Sequence, residues 1–329
     1  MEIIQSITAN FLHPPILFFI LGMFAIMVKS DLEIPPQIAK FLSLYLLFDI
    51  GIKGGEELFH SGFSGDIIKI LLVCGLISFL TPFICYKILR FKLDIYNAGA
   101  IAASYGSISA INFITSASFL DEHHITYNGF MVASMALMES PAVISGLLII
   151  GLALKQESKK TSQPKMSLGK IVHEALFNGS VFLLVGSLVI GYLSGGVGEV
   201  ELKPFVTDVF KGILCFYMLD MGLIAGQKLS SFKGNIVFLG SFALFYPLVA
   251  AVFAIPLARF LGMNVGNALL FTTLVSSSSF IAVPAAMRIA VPQSNMSLLL
   301  PMTLGITFVF NIILGVPIYL PVIKYIWGL

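Results

Sequence analysis

Charge is what this chain has least of. Of its 329 residues, 11% are Asp, Glu, Lys or Arg, against about 25% in an ordinary soluble domain. Hydrophobic residues make up 57%, and the mean hydropathy is +0.97. A water-soluble fold of this size would leave large apolar patches exposed, so the solvent for most of the chain is lipid. Cysteine is also scarce. Cys74, Cys85 and Cys215 all fall in apolar runs and read as small hydrophobes, which excludes a disulfide or metal framework. The net charge is only +2, and no Lys/Arg cluster is interleaved with aromatics, so nucleic acid is not an expected partner.

Several motifs are missing as well. Without GxxxxGK[ST] there is no P-loop, and direct coupling to ATP in this chain is not expected. Neither HExxH nor a complete Gly-x-Ser-x-Gly elbow occurs; Gly106–Ala110 fails the elbow at its last position. No His lies deep in an apolar run, so an intramembrane enzyme or sensor would lack its acid–base machinery. The chain is expected not to be an enzyme and to need no cofactor beyond a coupling ion. His60, His123 and His124 are read as residues of outer loops. Residues 1–10 carry no Lys or Arg and no small-residue cleavage site, so the first apolar run is expected to stay as a span.

What is present is apolar length. A helix needs about 20 apolar residues to cross a bilayer, and ten runs qualify: 11–29, 38–55, 67–89, 95–119, 130–154, 174–194, 205–226, 236–258, 265–289 and 296–325. They are continuously apolar and too long for the strands of a β-barrel. The expected fold is an all-α polytopic membrane protein of ten transmembrane helices. Thirteen of the 19 basic residues fall on the side opposite the N-terminus. The positive-inside rule therefore puts both termini outside the cytoplasm and the polar 155–170 linker inside.

That linker divides the chain into 1–154 and 171–329, each with five spans. Five is odd, so the halves enter the membrane in opposite orientation, the geometry of an inverted repeat. PheAspIleGlyIleLysGlyGly at 48–55 matches LeuAspMetGlyLeuIleAlaGly at 219–226, an offset of 171 residues. The same offset carries SerTyrGlySerIleSerAla at 104–110 onto ValSerSerSerSerPheIle at 275–281.

The fourth and ninth spans read as interrupted. Gly106 lowers helix propensity in one. In the other, four serines compete for backbone hydrogen bonds, and Pro284 removes a donor and disfavours helix before it. Breaks at mid-membrane are tolerated where they line a cavity. Half-helix N-termini suit a small anion, and freed carbonyls and C-termini suit a cation such as sodium. Small residues also mark plain helix packing. Three acids lie deep in spans, where ionisable residues default to functional hypotheses. Asp49 and Asp220 are repeat equivalents. Asp49 has Lys53 one turn on and reads equally as a structural ion pair. Glu139 precedes Pro141 in MetGluSerProAla at 138–142.

Together, IleGlyIleLysGlyGly at 50–55, TyrGlySerIleSerAla at 105–110, MetGluSerProAla at 138–142, and Ser276–Ser279 followed by Pro284, Arg288 and Pro292 resemble the sodium-dependent bicarbonate transporter family of bacteria. The resemblance spans nearly the whole chain. It implies two inverted five-helix repeats in a core-plus-gate arrangement, a homotrimer in the bacterial inner membrane, and elevator-like movement. It implicates Gly106, Ser107, Ser109, Ser276, Ser277, Ser278 and Ser279 in binding the anion where the broken helices cross. Asn112, Glu139, Asp49 and Asp220 are the expected cation-binding or coupling residues, with sodium as the ion. A cytoplasmic regulator at 155–170 is a further expected partner, as is membrane lipid. Phe280 stands where family members commonly carry an acid, and Ala282 and Val283 where they carry Ser-Gly. Sodium-coupled uptake of bicarbonate or a similar small anion is therefore the expected function. The alternatives on the same fold are a sodium/proton antiporter and an organic-anion:sodium symporter.

Overall fold

The computed structural model describes residues 12–62, 65–157, 179–230 and 236–329. Among them the chain is helical throughout, with no strand. Lipid dictates this outcome, because a helix satisfies its backbone polar groups within itself. The helices are α1 (Pro14–Met27), α2 (Pro36–Ser61), α3 (Gly65–Leu89), α4 (Ile95–Gly106), α5 (Ala110–Glu122), α6 (Phe130–Glu157), α7 (Gly179–Lys203), α8 (Phe210–Ser230), α9 (Ile236–Phe260), α10 (Val265–Ser276), α11 (Ala282–Ala290), α12 (Met296–Leu300) and α13 (Val316–Trp327). Wider π-turns fill Pro204–Asp208, Pro301–Phe308 and Asn311–Gly315.

Five helical stretches are long and apolar enough to cross a membrane by length and composition alone: Gly65–Leu89, Phe130–Leu154, Val200–Leu229, Val237–Phe260 and Met296–Trp327. Shorter apolar helices occupy Pro14–Met27, Phe182–Gly198 and Val265–Ser276. The second expected span runs on as helix to Ser61, six residues past its expected end, which puts His60 in a last helical turn rather than a loop. His123 is the C-cap of α5, and its Nδ1 lies 2.8 Å from Phe119 O. Residues 158–170 of the expected linker lie outside the described residues.

Helix pairing follows the small residues. α1 packs along α8, and α2 along α7. A Cβ on Gly222 would stand 2.1 Å from Phe19 O, and one on Gly22 would stand 2.3 Å from Leu219 O. In the other pair, a Cβ on Gly55 would stand 2.2 Å from Leu188 O, and one on Gly191 would stand 2.3 Å from Ile52 O. These are backbone-to-backbone contacts that any side chain would wedge apart. The IleGlyIleLysGlyGly segment is thus a packing seam as well as a family mark. The remaining helices form a second group: α3 lies against α4 and α6, α9 against α10, and α10 against α13. The broken pairs α4–α5 and α10–α11 belong to this second group.

Candidate functional site

Both breaks are built by local hydrogen bonding. The Asp94 side chain opens α4 by accepting from Tyr96 N (2.9 Å) and Asn97 N (3.0 Å). Asn264 opens α10 by accepting from Asn267 N at 2.8 Å. Each helix runs twelve residues and stops at an extended serine, Ser107 (φ −91°, ψ −179°) or Ser277 (φ −88°, ψ −179°). Helix resumes at Ala110 after Ser109, whose Oγ accepts from Asn112 N at 3.2 Å. On the other side it resumes at Ala282, where Ser279 Oγ accepts from Val283 N at 3.2 Å. Pro284 sits in the first turn of α11, where its missing N–H is no loss. It starts a helix here instead of ending one.

The matching caps lie 170 residues apart, Asp94 with Asn264 and Ser107 with Ser277. The expected offset of 171 is one residue too long at this place. The connection from α9 to α10 holds one residue fewer than that from α3 to α4, which shifts the register.

The two breaks cross and exchange hydrogen bonds. Ser109 N donates to Ser277 Oγ at 3.0 Å, and Ser279 N donates to Ser104 O at 2.8 Å. Beside the crossing lies a cavity of about 40 Å³, room for roughly two or three waters. It is lined by Ser109, Ala110 and Ile111 at the start of α5, by Ser279 to Ala282 leading into α11, and by Glu139 and Ser43. The first amides of a helix have no partner within it, so both helix starts bring partial positive charge to this cavity. Ser107 Oγ donates to the Glu139 backbone carbonyl at 3.3 Å, tying α6 to the first break. Phe280 also lines the cavity, and its ring packs edge-on to Phe308 with centroids 5.0 Å apart.

The structure therefore brings Ser109, Ser279 and Glu139 to one cavity. Ser277 and Ser104 hold the crossing by accepting from Ser109 N and Ser279 N, and Ser107 ties the first break to α6. Ser278 is buried, and its hydroxyl has no partner among the described residues. Ser276 offers its carbonyl to Asn311 Nδ2 at 2.9 Å. Gly106 serves packing: a Cβ there would come 2.3 Å from the Pro82 ring. Asn112 is buried one turn into α5, with neither polar atom of its amide partnered among the described residues. Asp49 and Asp220 do not line the cavity. Asp49 is fully buried and pairs with Lys53 at 3.2 Å, whose Nζ lies 4.3 Å above the Phe210 ring. Asp220 is buried in α8 with Oδ2 unpartnered among the described residues. Among the described residues no group of three or more His, Cys, Asp or Glu is gathered to hold a metal.

Sequence reasoning passed over Ser43, Tyr246 and Asn311. Each is a lone polar residue in an apolar run, and such a residue acquires meaning only through what the fold places against it.

The profile of the Na+-dependent bicarbonate transporter superfamily matches residues 14–324. The chain belongs to this superfamily and is a multi-pass membrane protein. No curated protein matches it.

Proposed function

We propose that the chain is a secondary transporter carrying bicarbonate, or an anion of similar size, into the cell together with sodium. The observation that carries this reading is the cavity at the crossing, lined by the starts of two helices and by Glu139. Magnitudes suggest why two ions would be needed. A helix end stabilises an anion by about 0.3–1 kcal/mol, up to about 2 when partly buried. Two like charges about 4 Å apart repel by about 4 kcal/mol at the dielectric typical of such sites. An anion entering alone would meet Glu139 and gain too little from the helix ends to offset it. A sodium ion beside Glu139 cancels that repulsion, so each ion favours the other. That mutual dependence is the coupling. In this reading Ser109 and Ser279 hydroxyls and the free amides of α5 and α11 hold the anion, with Ser107, Ser276, Ser277, Ser278 and Gly106 shaping the crossing. Asn112 extends the polar lining along α5. Asp49 and Asp220 act from outside the cavity, in the packing of α2 and α8.

The finer architecture is part of the proposal. The matching caps of α4 and α10, and the paired glycine seams of α2 and α8, support two inverted five-helix repeats with ten spans, 1–154 and 171–329. Both termini would lie outside the cytoplasm in a bacterial inner membrane. The chain would work as a trimer, with the 155–170 linker free to meet a cytoplasmic regulator.

The test is uptake of radiolabelled bicarbonate and a panel of small anions into proteoliposomes, with and without an inward sodium gradient. Sodium-stimulated bicarbonate uptake is the expected result. Transport of another anion in its place, or uptake indifferent to sodium, overturns the reading.

A further inference from the structure

In an unbroken helix, Tyr105 O would accept from Ser109 N, and Val275 O from Ser279 N. Here both amides turn across to the opposite break, Ser109 N to Ser277 Oγ and Ser279 N to Ser104 O. Two carbonyls at matching places are thereby released. One side chain meets both: Tyr246 Oη, on α9, lies 2.7 Å from Tyr105 O and 3.1 Å from Val275 O. A phenol has a single proton to give, so the two carbonyls share it. The next carbonyl of the second break, Ser276 O, is met by Asn311 Nδ2 at 2.9 Å. Asn311 is fully buried, and its own Oδ1 accepts from Tyr319 Oη at 3.1 Å.

The C-terminal ends of broken helices and their freed carbonyls are where transporters of this architecture coordinate cations. Two carbonyl oxygens converging on one point carry partial negative charge that calls for a positive neighbour. We propose that the Tyr246 hydroxyl, seconded by Asn311, is a fixed stand-in for a cation at the carboxyl ends of α4 and α10. Tyr246 and Asn311 are positioning residues: they satisfy the released carbonyls permanently and thereby send the coupling ion to the cavity at the helix starts. The ring of Tyr246 is held for this task, edge-on to Tyr105 at 4.7 Å and stacked on Phe242 at 5.9 Å. Tyr105 is in turn anchored through Thr307, whose Oγ1 lies 2.8 Å from the Tyr105 hydroxyl and donates to Ala243 O at 2.7 Å.

The inference rests on the reading of the chain as a sodium-coupled transporter, but its test does not need transport. Thermal melting of the detergent-solubilised protein is followed against NaCl, LiCl and choline chloride. The Tyr246→Phe variant bares both carbonyls at constant ring volume. Its half-saturating sodium concentration for stabilisation is expected to fall by about fivefold, the worth of one neutral hydrogen bond, and lithium should begin to stabilise it. Asn311→Leu should move in the same direction. Thr307→Val removes the anchor of Tyr105 yet leaves the carbonyls their donors, and should keep the wild-type ion response. An ion response unchanged in both Tyr246→Phe and Asn311→Leu overturns the proposal, as does an equal shift in Thr307→Val. If Tyr246→Phe does not fold, Asn311→Leu alone decides. Sodium-independent uptake by the wild type would defeat the functional reading while leaving this ion assay to stand or fall by itself.

Discussion

The two breaks share a backbone solution and divide the chemistry. The first is three residues long, Ser107 to Ser109, and its new helix is capped by the residue directly before it. The second is five residues long, Ser277 to Ile281; Ile281 offers no side-chain cap, and Ser279 reaches forward to supply one. The first break has an acidic residue beside it, Glu139, whose backbone carbonyl accepts from Ser107 Oγ. The second is served by neutral groups, the amide of Asn311 and the ring of Phe280 against Phe308. Two breaks that resemble each other in backbone thus differ in their neighbours, an acidic residue beside one and neutral donors and a ring beside the other.

The largest blow to this comparison is Glu139→Gln, which makes the first break as neutral as the second. Losing a partner of a buried charge costs about 3 kcal/mol, or roughly 100-fold in cation affinity. Sodium-stimulated uptake should collapse while the protein still assembles, as judged by gel filtration and melting. Uptake that keeps its sodium dependence would show that the charge of Glu139 is not the coupling element.

Phe280→Ala should come next, with a loss of about 3 kcal/mol of stability from the vacated volume. Its melting temperature should drop, and its cavity should admit larger anions in a competition assay. Phe280→Asp in the same assay asks whether a second acid makes the second break act like the first.

The smallest expected effect concerns the caps. Burial pushes the Asp94 carboxyl up, but hydrogen bonds from the Asn97 and Tyr96 amides and the Asn97 side chain outweigh it, and the group sits below the usual carboxylate range. Its contribution to stability is therefore present above about pH 4 and is lost as pH falls through the lowered value. Asp94→Asn copies Asn264 from the second half. It should change melting little at neutral pH and remove part of the decline on acidification, which a melting series across pH would record.

Much of this site was legible in the chain. The serine run and Gly106 announced the breaks, because breakers in an apolar run have few other uses. Glu139 announced itself because a carboxylate in lipid demands a reason. Ser109 and Ser279 came with the breaks. Other features were not legible, since they depend on contacts between distant segments. Tyr246 bridges to residues 29 and 141 positions away, and nothing local distinguishes it from any tyrosine at a membrane helix. The matching caps lie 170 rather than 171 residues apart because the turn before α10 is one residue shorter than that before α4, which leaves no mark in composition. Asp49 and Asp220 are expected as coupling residues because they are deep, acidic and at matching places, and the structure sets them outside the cavity at the crossing. The fold uses them in helices whose glycine seams serve packing.

The Asp49–Lys53 pair has a consequence for biogenesis. α2 leaves the ribosome more than a hundred residues before α7, its packing partner, exists. A bare aspartate would have to wait in lipid through all that synthesis. In the proposed ten-span topology, with its counter-charge one turn away on the same helix, α2 would enter the bilayer already neutralised. Asp220, which has no such neighbour, arrives late, when α1 and α2 are already in place to receive it.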